Sequence, residues 1–124
     1  VKWFRLAADQ GHAEAQYNLG VAYADGLGVA KDEAEAVKWF RLAADQGHAE
    51  AQYKLGVAYA VGVEVTKDEA EAVKWFRLAA DQGIAEAQYN LGVAYTDGLG
   101  VVKDEAEAGK WFRLAADQGI VGDK

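Results

Sequence analysis

The stretch AEAQYNLGVAYADGLGVAKDEAEAVKWFRLAADQGH, residues 13–48, decides the fold, because the whole chain is built from it. It returns as 49–84 and as 85–120, with six of its 36 positions changed in the second copy and four in the third. Residues 1–12, VKWFRLAADQGH, are the last third of one more copy, and 121–124 form a short tail. The copies abut without a spacer. A fixed period between about 20 and 50 residues marks a solenoid, in which each unit buries its apolar side against its neighbours. The expectation is a single solenoid domain over residues 1–124.

Two helices are legible in each unit. From Ala13 to Asp25, at helical periodicity, Ala15, Leu19, Ala22 and Tyr23 fall on one apolar stripe. Glu14, Tyr17, Asn18, Val21, Ala24 and Asp25 gather on the opposite side, with Gly20 at the edge. Gly inside a helix costs about 1 kcal/mol relative to Ala, so its return as Gly56 and Gly92 predicts a close approach of two helix backbones. Asp25-Gly26-Leu27-Gly28-Val29 ends this helix, since both glycines can take positive φ.

Lys31-Asp32-Glu33-Ala34-Glu35 starts the second helix as a capping box. Asp32 accepts from first-turn amides, Glu35 reaches back, and Glu33 and Glu35 sit at the positive end of the helix dipole. The helix runs to about Gln46. Its polar strip is narrow (Ala34, Lys38, Arg41 and Asp45), while Ala36, Val37, Trp39, Phe40, Leu42, Ala43 and Ala44 cover most of the rest. A helix that apolar needs cover on more than one side. No segment alternates with period two and there is no Pro, so the chain is read as all-α, with seven helices.

The pattern A-x-A-x-Y-x-L-G-x-x-Y-x-x-G-x-G-V, followed by D-x-x-x-A-x-x-W-x-x-x-A-A-x-x-G, resembles the Sel-one-like repeat (SLR) family. That family is related to the tetratricopeptide repeat (TPR). The motif falls on Leu19, Gly20, Tyr23, Gly26, Gly28, Ala36, Trp39, Ala43, Ala44 and Gly47, and on their equivalents 36 and 72 residues on. The resemblance implies antiparallel helix pairs in a right-handed α-α superhelix, with the first helix of each pair lining the concave side. It also implies a role as an adaptor that holds protein complexes together. Two departures stand out: Glu64 where the motif has Gly, and Gly109 where the other copies have Val37 and Val73.

Composition narrows the function further. The net charge is −7, spread over all three full copies, which suits neither nucleic-acid phosphates nor anionic lipid. No apolar run approaches the roughly 18 residues of a membrane span. With no Cys and no Ser, and only Thr66 and Thr96, disulfides, thiolate metal sites and nucleophilic triads have nothing to build on. His12 and His48 occupy the same position in successive copies, too far apart to share a metal, and are read as loop residues. The G-x-G of Gly26 and Gly28 follows a helix, so no dinucleotide fingerprint is present. No enzyme activity and no cofactor are expected. Val1, inside a repeat and without Met, is read as a boundary rather than a native start.

The leading reading is an interaction scaffold that binds an extended, neutral to basic segment with apolar side chains. The candidate binding residues are three ridges of first-helix side chains: Glu14, Tyr17, Asn18 and Val21, then Glu50, Tyr53, Lys54 and Val57, then Glu86, Tyr89, Asn90 and Val93. Asp25, Val61 and Asp97 end the ridges. The alternative is a structural spacer or engineered array with no dedicated ligand, which the near-identity of the copies also suits. Two further expectations follow from particular residues. Glu64 forces either a rearranged turn or a strained backbone. Trp3, Phe4 and Leu6 at one end, with Trp111, Phe112 and Leu114 at the other, leave apolar ends open to weak self-association.

Overall fold

The computed structural model describes residues 2–119, apart from the side chains of Lys2 and Phe4. Ile120 and the tail therefore lie outside the described residues. Seven helices follow one another, with no strand among the described residues: α1 (Lys2–Asp9), α2 (Ala13–Asp25), α3 (Glu33–Asp45), α4 (Ala49–Val61), α5 (Glu69–Asp81), α6 (Ala85–Asp97) and α7 (Glu105–Asp117). Each helix packs chiefly against its neighbours in the chain, so the helix pairs stack as a solenoid.

The helix ends follow the sequence cues, with one correction. Gly26, Gly62 and Gly98 cap α2, α4 and α6 in the left-handed conformation at φ 71°, 87° and 71°. Asp32, Asp68 and Asp104 accept from the amides of Glu35, Glu71 and Glu107 at 3.0–3.1 Å. The reciprocal half of the capping box is not made. Glu35 instead accepts from Trp39 Nε1 at 3.2 Å and pairs with Lys38 at 3.1 Å. An indole donor one turn away, otherwise facing a dry interior, is the more demanding partner.

Three clusters form the core, each joining one unit to the next. Trp39 packs with Ala8 of the preceding unit and with Ala15 and Leu19. Trp75 repeats the arrangement with Ala43, Ala44, Ala51 and Leu55, and Trp111 sits in the third cluster with Ala79, Ala80, Ala87 and Leu91. Each tryptophan thus reaches back across a unit boundary. This corrects the expectation at the C-terminal end, where Trp111 is 4% exposed. Trp3 is 78% exposed, and Leu6 and Leu114 are also exposed.

Gly20, Gly56 and Gly92 mark a close approach, first of all to a ring, with the Ala72 carbonyl oxygen also 3.3 Å from a Cβ placed on Gly56. A Cβ on them would stand 2.6, 2.8 and 2.5 Å from ring carbons of Phe40, Phe76 and Phe112. Arg41 leaves the polar strip assigned to it: it is half-buried and donates to the Tyr59 hydroxyl of the next unit at 2.6 Å. Arg5 to Tyr23 and Arg77 to Tyr95 repeat the contact. Each guanidinium also lies over its tyrosine ring, a cation–π arrangement that a purely solvated arginine would forgo.

Three buried glutamines complete the joints. Gln52 donates to the Ala44 carbonyl at 3.3 Å and accepts from Gln82 at 2.9 Å. Gln16 joins Ala8 to Gln46, and Gln88 joins Ala80 to Gln118, in the same way. The carbonyls served lie in the last turn of the preceding unit's second helix, where helical partners run out.

Candidate functional site

The first helices turn one face to the core through Ala15, Leu19 and Ala22 and their equivalents, leaving the opposite face to form a groove. Tyr17, Tyr53 and Tyr89 stand half-buried on it. Each leans on the phenylalanine of its own unit's second helix, with centroids 5.5–5.9 Å apart, and Tyr17 and Tyr53 also pack against the core clusters that take in the next unit's first helix. The Phe ring that excludes a side chain at Gly20, Gly56 or Gly92 is therefore also the floor beneath the tyrosine.

A cleft opens beside each of α3, α5 and α7, in each case over the equivalents of Glu33, Ala36 and Phe40. The first, about 250 Å³, is lined by Glu33, Ala36, Val37 and Phe40 of α3 and by Tyr53, Lys54 and Val57 of α4. The second, about 370 Å³, has the equivalents Glu69, Ala72, Val73 and Phe76, faced by Asn90 and Val93 and widened toward Val61 and Leu99. The third, about 410 Å³, is formed by Tyr89, Val93, Thr96, Asp97, Glu105, Ala108, Gly109 and Phe112. At Gly109 no atom lies within 4 Å of where a Cβ would stand, which leaves open the space that Val73 fills one unit earlier. Tyr53 and Val57 line both of the first two clefts, so these are compartments of one continuous groove.

Of the twelve candidate residues, Tyr53, Lys54, Val57, Tyr89, Asn90 and Val93 line these clefts. Glu14, Glu50 and Glu86 stand exposed outside them, and Tyr17, Asn18 and Val21 line none of the three. Burial is the first cause that raises the Tyr17 hydroxyl above its ordinary value, followed by the carboxylates of Glu50, Glu14 and Asp25. Tyr53 is raised likewise by burial, then by Glu86 and Glu50, with the Asn90 side chain opposing.

The second-helix residues of the clefts went unrecognised in the sequence. Phe40, Val37 and Ala36 read as buried circumference, and Glu33 as a dipole partner. The available signal was that Val37 and Val73 give way to Gly109, a change that a tightly filled core position resists. His48 is likewise more than a loop residue. Its Nδ1 accepts from the Ala51 amide at 3.2 Å, capping α4, so the proton resides on Nε2, which meets Glu14 Oε1 at 2.8 Å. Its ring stacks on Tyr17 with centroids 4.8 Å apart. Ile84, at the same place one unit on, caps nothing through its side chain and packs against the core instead.

Among the described residues no helix is long and apolar enough to cross a membrane, and no group of three or more His, Cys, Asp and Glu is placed to hold a metal ion. The Sel1 repeat model matches residues 1–12, 13–48, 49–84 and 85–120. The chain belongs to the Sel1 repeat family. Sel1 repeat proteins are generally non-enzymatic scaffolds for protein–protein interaction. Among solved structures, a protective antigen of uropathogenic Escherichia coli strains with an SLR fold is 49% identical, with a TM-score of 0.92. That alignment covers 96% of this chain and 26% of the antigen. A Sel1 repeat protein from Oxalobacter formigenes is 41% identical at a TM-score of 0.89, over 96% of this chain and 49% of that one. Cysteine-rich protein B of Helicobacter pylori shares the fold at 22% identity and a TM-score of 0.74, over 96% of this chain and 85% of its own. A comparison with curated proteins finds no match. The chain spans about a quarter and about a half of the first two structures it resembles.

Proposed function

We propose that these Sel1 repeats hold an extended segment of a protein partner along the concave face, in the groove of Tyr53 and Val57. The observation that carries this reading is the continuity of the clefts, with Tyr53 and Val57 shared between two of them. A ridge with apolar compartments on both sides offers side-chain pockets in series, as peptide recognition requires. The partner segment is neutral to basic with apolar side chains, because the clefts are mostly apolar while Glu33 and Glu69 stand among their lining residues. Lys54 and Val61 make the central ridge the least acidic and set the register of the bound segment.

A screen of short immobilised peptides tests this, comparing the unmodified chain with the double substitution Tyr53→Ala and Val57→Ala. Loss of binding with helicity retained is the expected result. Full affinity in the double variant would move the site elsewhere, with the outer residues Lys38, Leu42 and Asp45 examined next. A spacer with no ligand would bind no peptide in either form.

A further inference from the structure

We propose, resting on the groove reading above, that the partner segment adopts the polyproline II conformation and carries an aliphatic side chain at every third residue. The argument starts from the repeat itself. Glu33, Val37 and Phe40 in one cleft become Glu69, Val73 and Phe76 in the next, so the pockets recur once per unit. Neighbouring packed helices lie 8–10 Å apart, which sets the advance from one cleft to the next at about 10 Å. A bound segment must present its apolar side chains on one face with that spacing.

A polyproline II helix rises about 3.1 Å per residue with three residues per turn, so every third side chain returns to the same face after about 9 Å. A β-strand returns to the same face at about 6.6 and about 13 Å, on either side of the spacing needed. An α-helix places every seventh residue about 10.5 Å apart on one face. It also carries side chains midway on that face, at the third and fourth positions, and these would land on the Tyr53–Val57 ridge between the clefts. Polyproline II leaves that face free between successive contacts.

The chemistry of the walls agrees. Phe40, Tyr53 and Phe76 are the aromatic lining that suits a proline-containing backbone, which brings little conformational entropy to lose. The intervening positions of the segment meet Glu33 and Glu69. Among the described residues those glutamates pair with the exposed Lys31 at 3.9 Å and Lys67 at 3.6 Å, contacts weak enough for a partner's Lys or Arg to replace.

The test uses three labelled peptides and fluorescence anisotropy on the intact chain. One repeats Leu-Pro-Lys three times. The second has the same composition with its leucines at alternate positions, and the third is a leucine–lysine amphipathic helix. The Leu-Pro-Lys peptide is expected to bind at least about tenfold more tightly than either control. That preference should vanish in Val57→Lys, which puts a charged side chain on the wall shared by both clefts, and survive in Leu42→Lys on the outer surface. Equal or tighter binding of a control, still lost in Val57→Lys, would overturn the polyproline II inference and leave the groove standing. Binding of none of the three, or binding indifferent to Val57→Lys, would overturn both.

Discussion

Replacing Glu64 by Gly should stabilise the chain by about 0.5–1 kcal/mol, the difference between two opposed terms. Glu64 holds φ at 58°, the one non-glycine residue with positive φ among those described, where the sibling loops have Gly28 at 78° and Gly100 at 75°. A left-handed backbone costs an L-residue about 1–2 kcal/mol. Introducing Gly frees the unfolded chain and returns about 0.4–1 kcal/mol of that gain. The Glu64 side chain is exposed, so little else is lost. The assay is urea unfolding followed by circular dichroism, with an increased midpoint at unchanged slope expected. In thermal melts the gain corresponds to about 2–5 °C for a domain of this size. The reverse change gives the control. In Gly100→Ala the new Cβ would lie 2.4 Å from the Glu69 carbonyl oxygen of the preceding unit, besides the positive φ. A loss of about 2 kcal/mol or more is expected there. An unchanged or lowered midpoint for Glu64→Gly would refute the claim that this backbone is strained.

Gly56→Ala should destabilise by about 1 kcal/mol, because overpacking against Phe76 (about 1–3 kcal/mol) outweighs the helix-propensity gain of about 1 kcal/mol. Combined with Phe76→Leu it should show a favourable coupling in a double-mutant cycle. Gln52→Leu should cost about 1 kcal/mol, the low end for a lost buried hydrogen bond. The Ala44 carbonyl keeps the Gly47 amide at 2.9 Å, and Gln82 keeps the Gly47 carbonyl at 3.0 Å, as chemical denaturation of the variant would register. Tyr17 and Tyr53 should ionise above the ordinary tyrosine value of 10.0, so a phenolate absorbance titration should lose its late component in Tyr17→Phe and Tyr53→Phe. Because their folded values are raised, the stability these groups contribute is complete below about pH 10 and lost as pH rises through the folded values.

The periodicity of 36, the glycines after each first helix and the Asp before each second were enough to place seven helices, their ends and their family. Those features are local: a cap or a helix stop depends on residues within one turn, and apolar spacing on one strand of chain. Tyr53 and Val57 could be assigned to an outward face by the same spacing. The tertiary structure alone decided what meets that face. Residues of successive units are brought side by side only by stacking, so Arg41 finds Tyr59 and Gln52 finds Ala44, while the packing of helices within one unit sets Gln52 against Gln82 and His48 against Glu14 and Tyr17. Phe40 and Phe76 are core to their own unit and floor to the groove at once, a double role that no helical wheel separates. A side chain's partners across a unit boundary depend on how far and at what angle the next unit is laid down, and packing sets that after the helices have formed.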